Sequence, residues 1–138
     1  AIERMQHITY SETIANWIAE YALALDEWNV NNTYRGLWKL LEDLSLLGRN
    51  DRLTEVVERV SARTVDPAFH KHILNHLRER RNRQTHSLQS SQSELLETMV
   101  FQLKWYVEIM LTFHISEGHQ FRDIGDARCF LKRKNIGN

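Results

Sequence analysis

The residue types best able to do chemistry in this chain are concentrated in one short run, Arg78-Glu79-Arg80-Arg81-Asn82-Arg83-Gln84-Thr85-His86. Four of these residues are arginines, and crowding guanidinium groups is costly unless they face water or an anion. Within the run, Arg81-Asn82-Arg83-Gln84-Thr85-His86 sets an arginine and an asparagine ahead of a histidine. Those types suit cleavage of a phosphodiester without a metal. An imidazole that titrates near neutrality can move the proton of an attacking or leaving oxygen. A fork-shaped guanidinium can hold phosphate oxygens and stabilise the charge that grows on them. The asparagine amide can fix the same phosphate or the histidine tautomer. Spacing alone does not join them: five residues on a continuous helix is a rotation of about 500°, so Arg81 and His86 converge only if the helix frays or kinks.

Helices must position this run. A Thr9-Tyr10-Ser11-Glu12 capping box opens a helix from about Ser11 to Trp28, with Ile14, Trp17, Ile18, Tyr21, Leu25 and Trp28 in helical register. Asn29 to Asn32 are turn formers that end it. Leu37, Leu40, Leu41, Leu44 and Leu47 predict a second helix, with Gly48 as its C-terminal stop. Leu53, Val56, Val57 and Val60 predict a shorter helix within Asp51 to Arg63. Asp66-Pro67, an aspartate cap before a proline at the first helical position, starts the next helix. It turns Phe69, Ile73, Leu74 and Leu77 inward and runs into the arginines, where the helix dipole favours Arg78 and Arg80. After a polar loop, Ser91 and Glu94 form a second capping box for a helix of roughly 24 residues reaching about Ile115. Leu95, Leu96, Met99, Val100, Leu103, Val107, Met110 and Leu111 make a broad stripe, with Trp105 and Tyr106 beside it. A stripe that wide can face both the bundle and a partner.

The run and its surroundings resemble the HEPN superfamily, whose signature is an arginine, a polar residue, a few more residues and then a histidine. The form here, with a polar loop and a Leu-rich helix after it, is most similar to ApeA-like HEPN domains, and the resemblance covers about Asp66 to Ile115. It implies an all-α bundle of four to five helices and a metal-independent endoribonuclease. In that family the 2′-hydroxyl attacks the adjacent phosphate and leaves a 2′,3′-cyclic phosphate. Carried over by position, His86 is the general acid/base, Arg81 the phosphate ligand and Asn82 a helper. Arg78, Arg80 and Arg83 are then expected to bind RNA, a tRNA among the candidates. Such sites form where two domains meet, so a homodimer through helical faces is expected. The family's ApeA-like members sit at the carboxyl end of larger bacterial proteins linked to phage defence, and this chain has the look of an excised domain. Other members are inactive, acting as dimerisation modules or partners of a toxin, which is the alternative reading.

Composition sets the frame. With 18 basic and 18 acidic residues, anion binding must come from a local cluster. Five glycines and one proline favour a few long helices in a single domain. Cys129 is the one cysteine, which excludes an internal disulfide and suits a reducing cytoplasm. No apolar run nears the roughly 18 residues of a membrane span. The amino end has no signal-peptide pattern.

Other candidates have plainer explanations. His72 and His76 are spaced to share a metal, with His70 and Glu79 nearby, but a solvated polar face is expected, with neither metal nor cofactor. His114 and His119 suit a helix end and are assigned no chemistry. Trp17, Trp28, Trp38 and Trp105 keep helical spacing and are expected in the core or an interface. Residues 116–138 are weakly periodic, with Phe121, Ile124, Phe130 and Leu131 as anchors. From Arg122 onward five basic residues face two acidic ones, and a disordered basic stub is expected there.

Overall fold

The computed structural model describes residues 7–84 and 93–136. Six α-helices occur among the described residues, one more than the upper expectation, and no strand occurs there. They are α1 (Ser11–Leu25), α2 (Val30–Leu44), α3 (Thr54–Ser61), α4 (Pro67–Gln84), α5 (Ser93–Glu117) and α6 (Ile124–Ile136). The fold is an all-α bundle.

The leucine stripe of α2 organises it. Leu37, Leu40, Leu41 and Leu44 are fully buried, with Tyr34 and Trp38 on the flanks, and their main partner is α5. From α5 come Leu96, Leu103, Tyr106, Val107, Met110 and Phe113, all buried. Burying such side chains is worth about 1.5–3 kcal/mol each. α1 packs across α2, where Gly36 allows close approach: a Cβ there would lie 3.2 Å from that of Ala24. α3 supplies Val56, Val57 and Val60, and α4 supplies Leu74 and Leu77. α4 is tied to α2 by the Tyr34 hydroxyl, which donates to the Leu77 carbonyl.

Several local expectations are corrected. α1 begins after Tyr10 without a side-chain cap, so the Thr9/Glu12 capping box does not form; Thr9 Oγ1 instead donates to the Phe121 carbonyl, at 3.5 Å. α1 stops at Leu25, three residues early, and Trp28 is wholly exposed. Asn29 does not end α1 but starts α2, its side chain accepting the Asn31 N–H at 2.8 Å. Gly48 does not stop α2. Leu46 takes the left-handed conformation, at φ 55°, and Gly48 donates its N–H to Asp51 Oδ2.

A buried arginine accounts for that strained turn. Arg59 is 1% exposed, and its Nη1 donates to the carbonyls of Ser45 and Leu46, both at 2.9 Å. Its Nη2 reaches Asp51 Oδ2, also at 2.9 Å. These are the carbonyls that a helix C-terminus leaves without partners. α3 is therefore shorter than the expected Asp51 to Arg63, because Asp51 serves the turn.

Asp66 caps α4 as expected, its Oδ1 accepting the Phe69 N–H at 3.3 Å. Phe69, however, faces outward and is more than half exposed. α5 starts at Ser93 and runs two residues past Ile115. The Ser91/Glu94 capping box lies outside the described residues. The segment expected as a disordered stub is instead helical from Ile124 to Ile136. α6 buries Ala127 and Leu131 against the bundle, and Phe121, Phe130 and Phe113 form one aromatic cluster. Arg128 Nε donates to the Leu46 carbonyl at 2.9 Å, which fixes α6 beside the α2–α3 turn.

Candidate functional site

The arginine run occupies the last turns of α4, which continues without a break through Gln84. A helix that ends on three guanidinium groups is helped by its own dipole. Arg78 and Arg80 are half-buried along the helix, and Arg80 is close enough for its charge to favour ionisation of Tyr34. That effect is smaller than burial, which raises the Tyr34 phenol well above its ordinary value. Arg81 is half-buried and Asn82 exposed. Arg83 lies on the helix, but its side chain is outside the described residues. His86 is outside them too. The structure therefore places Arg81 and Asn82 of the trio, on one unbroken helix, and not the histidine.

Arg81 does not stand in open solvent. It forms one wall of a cleft of about 320 Å³ whose other lining comes from α2: Arg35, Trp38, Lys39 and Glu42. The α2 residues fall at helical spacing on the side away from the leucine stripe, so one face of α2 builds the core and the other builds the cleft. Trp38 is its floor. The indole is 1% exposed and donates its Nε1–H to Glu42 at 2.9 Å. Lys39 lies 3.3 Å from Asp43 on the next turn, and the hydrogen bond to that carboxylate raises its pKa. Arg35, Lys39 and Arg81 thus stand around the cleft together with Glu42, and Lys39 is paired to Asp43.

Arg35, Lys39 and Glu42 were not expected at a site. The only signal for them in the sequence is an ordinary polar helix face, which reads the same whether it meets solvent or a second element.

A larger concavity, about 470 Å³, runs along α5 and lies apart from the arginine run. It is lined by Trp105, Ile109, Phe113 and Glu117, with Arg63 at one side. That arginine is already engaged: it lies over the rings of Phe113 and Phe130 and 3.6 Å from Glu117.

The histidines divide by environment. His72 and His76 are exposed, with ring centroids 5.2 Å apart, and no cluster of three or more metal-ligating residues occurs among the described residues. His70 Nδ1 shares a hydrogen bond of 2.8 Å with the Tyr106 hydroxyl, and its ring lies between Phe69 and Trp105. His114 stands in the last turn of α5, as expected, and is fully buried there. Its Nε2–H donates to the Leu44 carbonyl at 2.8 Å, and its Nδ1 accepts from Tyr10 at 2.9 Å. Burial lowers its pKa to about 4, with the Leu44 hydrogen bond opposing part of the shift. It is a neutral core residue.

No protein-family model, no curated protein and no solved structure matches this chain. No helix of the described residues is long and apolar enough to cross a membrane.

Proposed function

We propose that this chain is a metal-independent endoribonuclease of the HEPN kind, acting in the cytoplasm as a phage-defence or toxin effector. The observation that carries the reading is the position of Arg81. This first residue of the HEPN-like signature lines a cleft with two further cations, on an all-α bundle, at the end of one long helix and ahead of another. The roles follow from the chemistry of the groups. His86 takes the proton of a ribose 2′-hydroxyl as its oxygen attacks the neighbouring phosphorus. The O2′–P bond forms, the P–O5′ bond breaks, and the 5′-oxygen leaves with a proton. Arg81 stabilises the charge on the phosphoryl oxygens during that exchange. Asn82 orients the phosphate, and Arg78, Arg80 and Arg83 attract the strand.

The test is the chemistry of the cut ends together with Arg81→Ala. The reading expects fragments ending in 2′,3′-cyclic phosphate and 5′-hydroxyl, and loss of cutting by at least 100-fold in the variant with helicity retained. Fragments ending in 3′-hydroxyl and 5′-phosphate would overturn it.

A second reading has its own observation. Phe101 and Trp105, one turn apart on α5, are 71% and 48% exposed, and Phe69 adds a third outward ring. Exposed aromatics in helical register suit a protein interface. That face serves a homodimer in the nuclease reading, and it would be the chain's whole function in a catalytically silent dimerisation module.

A further inference from the structure

α1 is apolar on every side, and only Glu12 and Glu20 are charged within it. Its inner side buries Ile14, Trp17 and Ala24 against α2 and α5. Its outer side is apolar as well. Ala15, Ala19 and Ala22 follow helical spacing and are exposed, and Leu23 beside them is 69% exposed. Ile18 and Leu25 are exposed on one flank, and Trp28, just past the helix end, stands wholly in solvent. The outer side of α2, by contrast, carries Asn32, Arg35 and Lys39. A helix that is apolar all round is ordinarily covered on both sides, and a contiguous exposed apolar patch marks an interaction surface. The alanines let a further helix come close, because the side chains at a contact set the distance between axes. Between α1 and α2 runs a shallow groove of about 300 Å³, with Leu23, Ala24, Gly36 and Leu40 in its lining beside Glu20 and Glu27.

The charge beside this face has one sign. Glu12, Glu20, Asp26 and Glu27 are exposed, and no lysine or arginine occurs between Arg4 and Arg35. No ion pair among the described residues uses any of the four. Lys39, which also lines the groove, pairs with Asp43 and feels Glu20 only at longer range. The apolar surface is what drives this face to be covered, and the carboxylates select what covers it. A second copy of the same face would set acids against acids, which is costly. Anionic lipid meets the same repulsion.

We propose that the outer face of α1 is the docking site for a basic amphipathic helix of a partner protein. The apolar stripe of that helix lies on Ala15, Ala19, Ala22 and Leu23, and its lysines or arginines face Glu20 and Glu27. The site is independent of the nuclease reading and uses none of its residues.

The probe is a fluorescein-labelled helical peptide of leucine, alanine and lysine, with the leucines on one face and the lysines beside them. A scrambled peptide of the same composition is its control. Anisotropy is read with the wild type, Ala19→Arg, Glu20→Gln/Glu27→Gln and Glu79→Gln/Glu97→Gln. All five substituted residues are exposed, and arginine is a good helix former, so the circular dichroism spectrum is expected to hold. Ala19→Arg sets a charge in the middle of the contact and is expected to weaken binding at least tenfold. Glu20→Gln/Glu27→Gln is expected to weaken it at least threefold, with a flatter salt dependence. The charge-matched pair on α4 and α5 is expected to change it by less than twofold. Equal binding of the scrambled peptide, or equal loss in the two charge-matched pairs, would overturn the site, because net charge alone would account for the attraction. So would a wild type that binds no peptide at high micromolar concentration. Self-association that Ala19→Arg abolishes would overturn it in favour of a second copy. Adsorption to phosphatidylcholine vesicles that Ala19→Arg abolishes would overturn it in favour of lipid.

Discussion

The hydroxyl of Tyr10 donates to Nδ1 of His114 across 2.9 Å, joining residues 104 positions apart. The other ring nitrogen donates to Leu44, so one imidazole ties the start of the chain to the C-terminal ends of α2 and α5. The Tyr10 bond requires the neutral ring, whereas the Leu44 bond also forms with the charged one and only burial outweighs it. Burial holds the folded pKa at about 4, against 6.5 for the ordinary group. Between those values the unfolded chain binds the extra proton, so stability rises with pH there. The contribution is fully present above pH 6.5 and is lost as pH falls toward 4. Its size is about 3 kcal/mol, at about 1.4 kcal/mol for each pKa unit. Urea denaturation from pH 7.5 to pH 4.5 should show that loss in the wild type and a much flatter profile in His114→Gln. A parallel slope in the variant would assign the acid sensitivity elsewhere.

Arg59 is the other buried anchor. Truncation to alanine would leave the Ser45 and Leu46 carbonyls and the Asp51 carboxylate without the guanidinium they share. Breaking a buried pair in this way costs about 3–5 kcal/mol. Lysine should restore little, because one ammonium cannot reproduce the fork. The check is the denaturation midpoint of Arg59→Ala and Arg59→Lys. A loss under about 1 kcal/mol in the alanine variant, the range of an exposed pair, would contradict the clamp.

The outward aromatics of α5 give a prediction about assembly. Phe101→Glu/Trp105→Glu should convert a dimer to a monomer in sedimentation velocity, with the circular dichroism spectrum unchanged. Charge placed at the core of an interface is strongly unfavourable. A wild type that is monomeric at high micromolar concentration would remove the dimer from the proposal.

How much of this was legible in the sequence depended on the range of the interaction. The leucine stripe of α2 and the Asp66-Pro67 start of α4 were visible because periodicity and capping are local. Trp28 misled for the same reason: its register continues α1, yet Asn29 recruits the following residues into a new helix and leaves the indole in solvent. Gly48 looked like the stop of α2, but Leu46 bears the left-handed turn because Arg59, thirteen residues on, binds its carbonyl. His114 and the cleft were hidden more deeply. The partners of His114 are 104 and 70 residues away, and the cleft that Arg35 and Lys39 line arises only when α4 is laid beside α2. The arginine run stood out early because its composition is odd on any helix, whatever packs against it.

The most direct test of the nuclease reading is a denaturing-gel assay on total RNA in the presence of EDTA, comparing the wild type with His86→Ala. The account predicts discrete fragments from the wild type and intact RNA with the variant, at equal helicity. Intact RNA with both proteins, or the same fragments from both, would contradict it.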